Sequence, residues 1–268
     1  MHNIKQRYRY SFILLRELVR TDFKLKYQGS VLGYVWSLLR PLLIFLILYI
    51  VFTKFLKVGD GIPHYPVYLL LGILLWNYFV EVTSGSVTAI VGKGDLLRKI
   101  NFPKYVIILS IAITALINLA LTSLVVVVFM IIGHVGITWQ ALWLIPIVIE
   151  LILVSLAAAF FLSAAFVRYR DVSYIWEVIT QAAFYATPIL YPLNRIPTVA
   201  AKILILNPMA QVIQDARYVL VTNQTETIGS LYGGNKFIWL VPIGFSILSA
   251  VIAATYFRSR SRFFAEES

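Results

Sequence analysis

Cysteine is absent, which excludes disulfides, thiolate chemistry and cysteine-based metal sites. Histidine is scarce. His2, His64 and His134 are the whole complement, and none sits midway along an apolar stretch, so neither a metal site nor a histidine proton relay is expected. Charge is thin as well: Asp, Glu, Lys and Arg make up 13% of the 268 residues, against ~25% in a soluble domain. Set beside 60% apolar residues, that shortage excludes a soluble globular domain and a disordered chain. No GxxxxGK[ST] loop is present to cradle a nucleotide. A GxSxG nucleophile elbow is missing, and so is a TVGYG-type ion filter. The two halves do not repeat each other, which leaves an inverted-repeat transporter without support.

Apolar sequence is what abounds. A helix crossing a hydrocarbon core ~30 Å thick needs roughly 20 apolar residues. Six stretches meet this: about Val35 to Phe52, Pro66 to Ile90, Tyr105 to Ile132, Trp139 to Val167, Tyr174 to Leu190 and Phe237 to Phe257. The first 34 residues are too charged for a cleavable signal peptide. Lys and Arg outnumber Asp and Glu by 23 to 12, a net charge of +11. With both termini inside, 17 of the 23 basic residues are cytoplasmic and six are outside: Lys54, Lys57, Arg195, Lys202, Arg217 and Lys236. That bias and the even span number give an N-in, C-in chain. The excess charge reads as membrane topology, not as a nucleic-acid surface. The expected fold is an all-α integral membrane protein in one permease domain. Residues 1–34 form a cytoplasmic amphipathic and gate region, 35–257 a bundle of six transmembrane helices, and 258–268 a cytoplasmic tail.

Three connections carry further information. Residues 8–26 read as an interfacial amphipathic helix, with Phe12, Leu15, Leu18, Val19 and Phe23 on one side and Arg16, Glu17, Arg20, Thr21 and Lys24 on the other. Asp22 and Lys26 break the apolar side, and an ordinary basic flank of the first span is the plainer alternative. After the second span, Asp95 is a plausible N-cap and Pro103 a stop. Between them fits a two-turn helix with Leu96, Leu97 and Ile100 on one face and Arg98 and Lys99 on the other. It is either a handle for a cytoplasmic partner or a simple positive loop. Residues 191–236 form a long outer connection, and Pro188 just before it and Pro192, Pro197 and Pro208 within it break the region into short apolar pieces. Pro208 to Val221 reads as a half-length helix. Such pieces fit re-entrant segments, which are tolerated where protein or water covers them; a folded external loop is the alternative.

Polar residues recur at helical spacing inside the spans. Asn77, Glu81, Ser84 and Thr88 share one face, as do Ser110, Thr114, Asn118 and Thr122, and Glu177, Gln181 and Tyr185. They mark a polar route through the membrane or interhelical hydrogen bonds. Tyr34, Phe45, Tyr49 and Phe52 gather on one side of the first span, and Trp176, Phe184 and Tyr191 belong to the fifth. Such rings can stack on sugars; they also serve as membrane anchors and packing. Glu150 has no evident partner.

The segment from Gln28 through Gly29, Ser30, Val31, Leu32, Gly33, Tyr34, Val35, Trp36 and Ser37 to Pro41 resembles the start of span one in permeases of polysaccharide and teichoic acid ABC exporters (Wzm/TagG-like), with Arg40 where that family commonly has Asn. Asp95 to Pro103 resembles the family's cytoplasmic coupling segment. Thr187-Pro188-Ile189-Leu190-Tyr191-Pro192, then Arg195-Ile196-Pro197 and Leu206-Asn207-Pro208-Met209, resembles its external re-entrant region. The resemblance implies a homodimer working with two copies of a separate ATPase subunit, which would bind ATP and Mg; this chain would need no cofactor and carry no catalytic residue. Residues 8–26 and the loop 93–104 would meet the ATPase, with Asp95, Leu96, Leu97, Arg98, Lys99 and Ile100 as coupling residues. The substrate would be an undecaprenyl-type lipid-linked glycan, moved outward across the bacterial cytoplasmic membrane. Its path would run between copies of spans one and five, along Tyr34, Phe45, Tyr49, Phe52, Trp176, Glu177, Gln181, Phe184, Tyr185 and Tyr191. Lys24, Lys26 and Arg40 would attract the lipid headgroup. Competing expectations are an ABC permease for small hydrophobic drugs, and an intramembrane enzyme acting on lipid-linked sugars through Glu81, Glu150 or Glu177.

Overall fold

The computed structural model describes residues 2–27, 33, 35–94 and 102–261. All regular elements among them are helices. Helix α1 is His2–Tyr27, longer than the sequence pattern. α2, Val35–Ile50, passes into a π-helical turn at Val51–Phe55. α3 is Tyr65–Val87, with Pro66 in its first turn, where a missing N–H is harmless. A short α4, Ala89–Gly92, follows. α5 is Tyr105–Ile132 and α6 is Leu144–Arg168, entered through a 3-10 turn at Trp139–Trp143. Then come α7 (Val172–Ala186), α8 (Thr198–Leu204), α9 (Pro208–Leu220), α10 (Ile228–Leu231) and α11 (Leu240–Arg260).

Among the described residues, five stretches are long and apolar enough to cross a membrane: Val35–Phe55, Tyr65–Val87, Tyr105–Ile132, Trp139–Arg168 and Phe237–Arg260. These match five of the six sequence-expected spans to within a few residues. The remaining one, Tyr174 to Leu190, is shorter than its apolar run. α7 has 15 residues, about 22 Å of helix. It stops because a residue before proline is driven out of the helical region: Thr187, ahead of Pro188, has ψ 140°.

α3 is the hub. Of its apolar window 78% is buried, against 11% for α2 and 17% for α11. It packs against α2, α5, α6, α7 and α9, while α11 lies along α6 and α1 along α5. α9, the half-length helix, is capped by the Asn207 side chain, which accepts from the Met209 N–H at 3.0 Å, and begins on Pro208. Every residue from Pro208 to Arg217 is buried, enclosed by α3, α6 and α11. α9 is part of the core and not a surface loop.

Candidate functional site

α7 has two unlike faces. Toward α3, the Trp176 indole N–H donates to Thr83 Oγ1 at 3.1 Å, and the Trp176 ring meets Phe79 edge-on. Phe184 meets Trp76 in the same way, with centroids 6.2 Å apart. The outward face carries Glu177 and Gln181, one helical turn apart, with Gln181 Nε2 donating to Glu177 Oε1 at 3.5 Å. Both are exposed, and Tyr174, Ile175, Val178 and Tyr185 are exposed around them. A carboxylate on an otherwise apolar helix face is costly against lipid, of order 3 kcal/mol for a comparable charge at a span's centre. Such a face is suited to water, to another polypeptide or to a hydroxyl-rich polymer.

The other expected path residues sit differently. Phe45 is buried, edge-on to Phe129 at 5.2 Å and stacked on Tyr49 at 5.7 Å. Tyr49 and Phe52 also pack against the core. The open side of α2 is mainly aliphatic instead, with Leu43, Ile44, Leu46, Ile47 and Ile50, and carries exposed Trp36 and Arg40 near its start. Tyr191 is half-buried, its hydroxyl donating to the carbonyls of Tyr185 and Ala186 at 3.1 Å. Thus Glu177, Gln181 and Tyr185 remain open, while Phe45, Tyr49, Phe52, Trp176, Phe184 and Tyr191 make packing contacts within this chain. Tyr34 lies outside the described residues.

At the end of the bundle where α1 attaches, two ion pairs hold that helix. Lys93 Nζ binds both Asp22 oxygens at 2.9 Å, and Ser110 Oγ donates to Asp22 Oδ2 at 3.2 Å. Lys26 Nζ lies 2.6 Å from Glu81 Oε1, and Asn118 Nδ2 donates to Glu81 Oε2 at 2.9 Å. Asp22 and Lys26, which interrupt the apolar side in sequence, are therefore the anchors of α1, while Leu14, Leu15 and Leu18 supply its apolar contact. Phe12, placed with the apolar side by the helical wheel, is exposed. The polar stripes of spans two and three meet α1 and each other; Thr114 and Thr122 satisfy their hydroxyls on carbonyls of their own helix. Among the headgroup candidates, Lys24 and Arg40 are exposed, whereas Lys26 holds Glu81. Lys104 Nζ donates to the Ser261 carbonyl, joining the start of α5 to the end of α11, and burial lowers the pKa of its ammonium. Asp95, Leu96, Leu97, Arg98, Lys99 and Ile100 lie outside the described residues.

A buried polar cluster at the opposite end is the largest feature that sequence reasoning missed. Arg217, counted with the outside loops, is fully buried. Its Nε donates to the Tyr68 carbonyl at 3.0 Å, Nη1 to Pro188 at 2.6 Å and Nη2 to Ile189 at 2.5 Å. Tyr68 donates its hydroxyl to Gln214 Oε1 at 3.3 Å, and Gln211 Nε2 donates to Asp215 Oδ2 at 2.9 Å. Glu150 is also buried and has a partner after all: Ser246 Oγ donates to it at 3.3 Å. The only sequence signal was a half-length helix carrying Gln211, Gln214, Asp215 and Arg217 between apolar residues. No group of three or more His, Cys, Asp or Glu side chains among the described residues is placed to hold a metal.

Comparison with known proteins gives a consistent picture. Residues 13–221 match the family described as ABC-2 type transporter. An O-antigen export system permease protein of Myxococcus xanthus is 32% identical over 267 residues, 98% of each chain. One from Klebsiella pneumoniae is 30% identical over 252 residues, 92% of this chain and 96% of the relative. The two relatives align over nearly the whole chain, while the family match ends at residue 221, before α10 and α11.

Proposed function

The chain belongs to the ABC-2 type transporter membrane family, and we propose that it is the membrane-spanning subunit of an ATP-driven exporter that carries a lipid-linked polysaccharide of the O-antigen kind outward across a bacterial inner membrane. The named role of its full-length relatives supports the cargo. The exposed Glu177 on α7 carries the reading of where that cargo passes. In this reading two copies face each other through α2 and α7, so that Glu177, Gln181 and Tyr185 meet a hydrated polymer instead of lipid. The aliphatic stretch from Leu43 to Ile50 on the open side of α2 supplies the apolar seam that such a pairing needs.

α7, extended by residues 187–190, serves as the sixth crossing, which gives the N-in, C-in topology. α8 and α9 are re-entrant. Covered by α3, α6 and α11, α9 meets the condition for short helices at membrane depth. Nucleotide hydrolysis resides in a separate ATPase chain. It meets α1 and the connection 93–104, and its closure is transmitted through the Asp22–Lys93 pair, which ties one contact region to the other. Lys24 and Arg40 attract the anionic lipid pyrophosphate.

The test is genetic and biochemical. Deletion of the gene should abolish surface polysaccharide, and plasmid-borne wild type should restore it. Glu177→Leu should assemble with the ATPase yet export poorly. Undiminished surface polysaccharide in the deletion strain, or ATPase activity stimulated by small hydrophobic drugs instead of glycan lipid, would overturn the reading.

A further inference from the structure

A small open cavity lies at the end of the bundle where α7 breaks, beside the Arg217 cluster. The loops that form it are those around residues 61–63, 192–194 and 222–226. Arg195 Nη2 donates to the Asp60 carbonyl at 3.0 Å and fastens two of these loops together. Counted with the open solvent at its mouth, the empty space is about 340 Å³. Its polar lining consists of Asn194, Thr222, Gln224, Thr225 and Glu226 above Tyr68, with Pro63 and Pro192 as apolar wall.

One observation points to a missing partner. Thr225 is 7% exposed, and its Oγ1 is buried with no hydrogen-bond partner among the described residues. A buried hydroxyl left unmade costs ~1–3 kcal/mol. Burial also raises the carboxyl pKa of Glu226, a group that a hydroxyl donor would stabilise.

The lining selects the ligand class. Among the described residues, no Lys, Arg or His lines the cavity and one carboxylate does, so a phosphate is disfavoured. A single carboxylate with amides and hydroxyls is a poor divalent-cation cage, which wants six to eight oxygens with several charges. Amide, hydroxyl and carboxylate oxygens around a proline wall suit vicinal hydroxyls above an apolar C–H face. We propose that this cavity is an exit subsite for one neutral sugar ring of the exported polymer. The inference rests on the transport reading above for its cargo. It also uses position: Pro192 follows Tyr191, whose hydroxyl is bonded to the end of α7, so the cavity lies at the end of the helix that carries Glu177.

The test uses the permease–ATPase complex in nanodiscs. Methyl glucoside, galactoside, mannoside and rhamnoside are offered, and ring-proton saturation transfer is measured with inorganic phosphate as competitor. At least one glycoside should receive saturation that phosphate does not displace. Asn194→Leu and Glu226→Gln should each reduce it at least five-fold, with the thermal melt and ATPase copurification unchanged. Thr225→Val serves as a third, nearly isosteric variant. Saturation of none of the glycosides, displacement by phosphate, or wild-type signal in all three variants would overturn the subsite. Surface polysaccharide made by cells with the wild-type protein is scored separately, so failure of the transport reading is distinguishable from failure of the subsite.

Discussion

The Arg217 guanidinium carbon lies 3.6 Å from the centre of the Tyr68 ring, and the guanidinium donates to three backbone carbonyls. Two of these belong to Pro188 and Ile189, just beyond the point where proline ends α7. A broken helix leaves carbonyls without partners, and a buried one must find a donor. Arg217 supplies three N–H groups in one plane, and the ring face meets its charge. The clamp thus fixes the end of α7 to α3 through α9. Arg217→Lys keeps the charge but cannot reach three carbonyls at once. It should destabilise the permease by at least ~2 kcal/mol, read as a lower melting temperature of the purified protein. An unchanged melt would mean that the clamp does not hold this region.

Gly72 is the space in which the guanidinium sits. A Cβ there would lie 2.5 Å from Arg217 Nη2. Gly72→Ala should therefore cost ~1–3 kcal/mol, although alanine ordinarily favours a helix. Combined with Arg217→Met, the alanine should cost much less than alone, since the clashing atom is gone. Simple additivity of the two melting shifts would count against this account.

The two ion pairs of α1 predict how firmly that helix is held. Their side chains are only partly exposed, so each is worth about 1 kcal/mol. The chain has no cysteine, so a single introduced thiol reports cleanly. In a Leu18→Cys background, Asp22→Ala should raise the rate of maleimide modification about five-fold. Asp22→Lys with Lys93→Asp should restore slow labelling. Equal rates in all three proteins would remove the anchoring role.

Phe45 and Tyr185 separate packing from transport. Phe45 is 3% exposed, and Phe45→Ala should lower stability by ~3–5 kcal/mol through the cavity it leaves. Tyr185 is 67% exposed, and Tyr185→Ala should leave the melt unchanged while reducing surface polysaccharide. The reverse pattern would move the path away from α7.

Topology is checked in the same cysteine-free chain. Ser230 and Ser259 are both exposed, at opposite ends of the bundle. In spheroplasts, Ser230→Cys should react with an impermeant maleimide, and Ser259→Cys only after permeabilisation. Labelling of Ser259→Cys from outside would reverse the orientation.

Much of the fold was legible in the sequence because a membrane span is a local property. Tyr105 to Ile132 could be read directly, since a continuous apolar run and a basic flank need no distant partner. α9 could be located from Pro208 and the apolar pattern after it. Its burial could not, because whether a half-length helix lies on the surface or inside depends on α3, α6 and α11. Likewise Asp22 and Lys26 look like flaws in an amphipathic helix until Lys93, Ser110, Glu81 and Asn118 are brought beside them. Helical spacing placed Phe45, Tyr49 and Phe52 on one side of α2, but only the position of α5 showed that this side faces inward.

Composition and hydropathy by themselves determined that this is a polytopic helical membrane protein, together with where its long spans lie, since partition of apolar segments into hydrocarbon is summed along the chain and needs no partner. Tertiary structure alone decided which polar residues are structural and which are open. Hydrogen bonds and ion pairs act over about 3 Å between side chains as far apart in sequence as Tyr68 and Gln214, and only packing brings such residues together, as it leaves Glu177 facing outward.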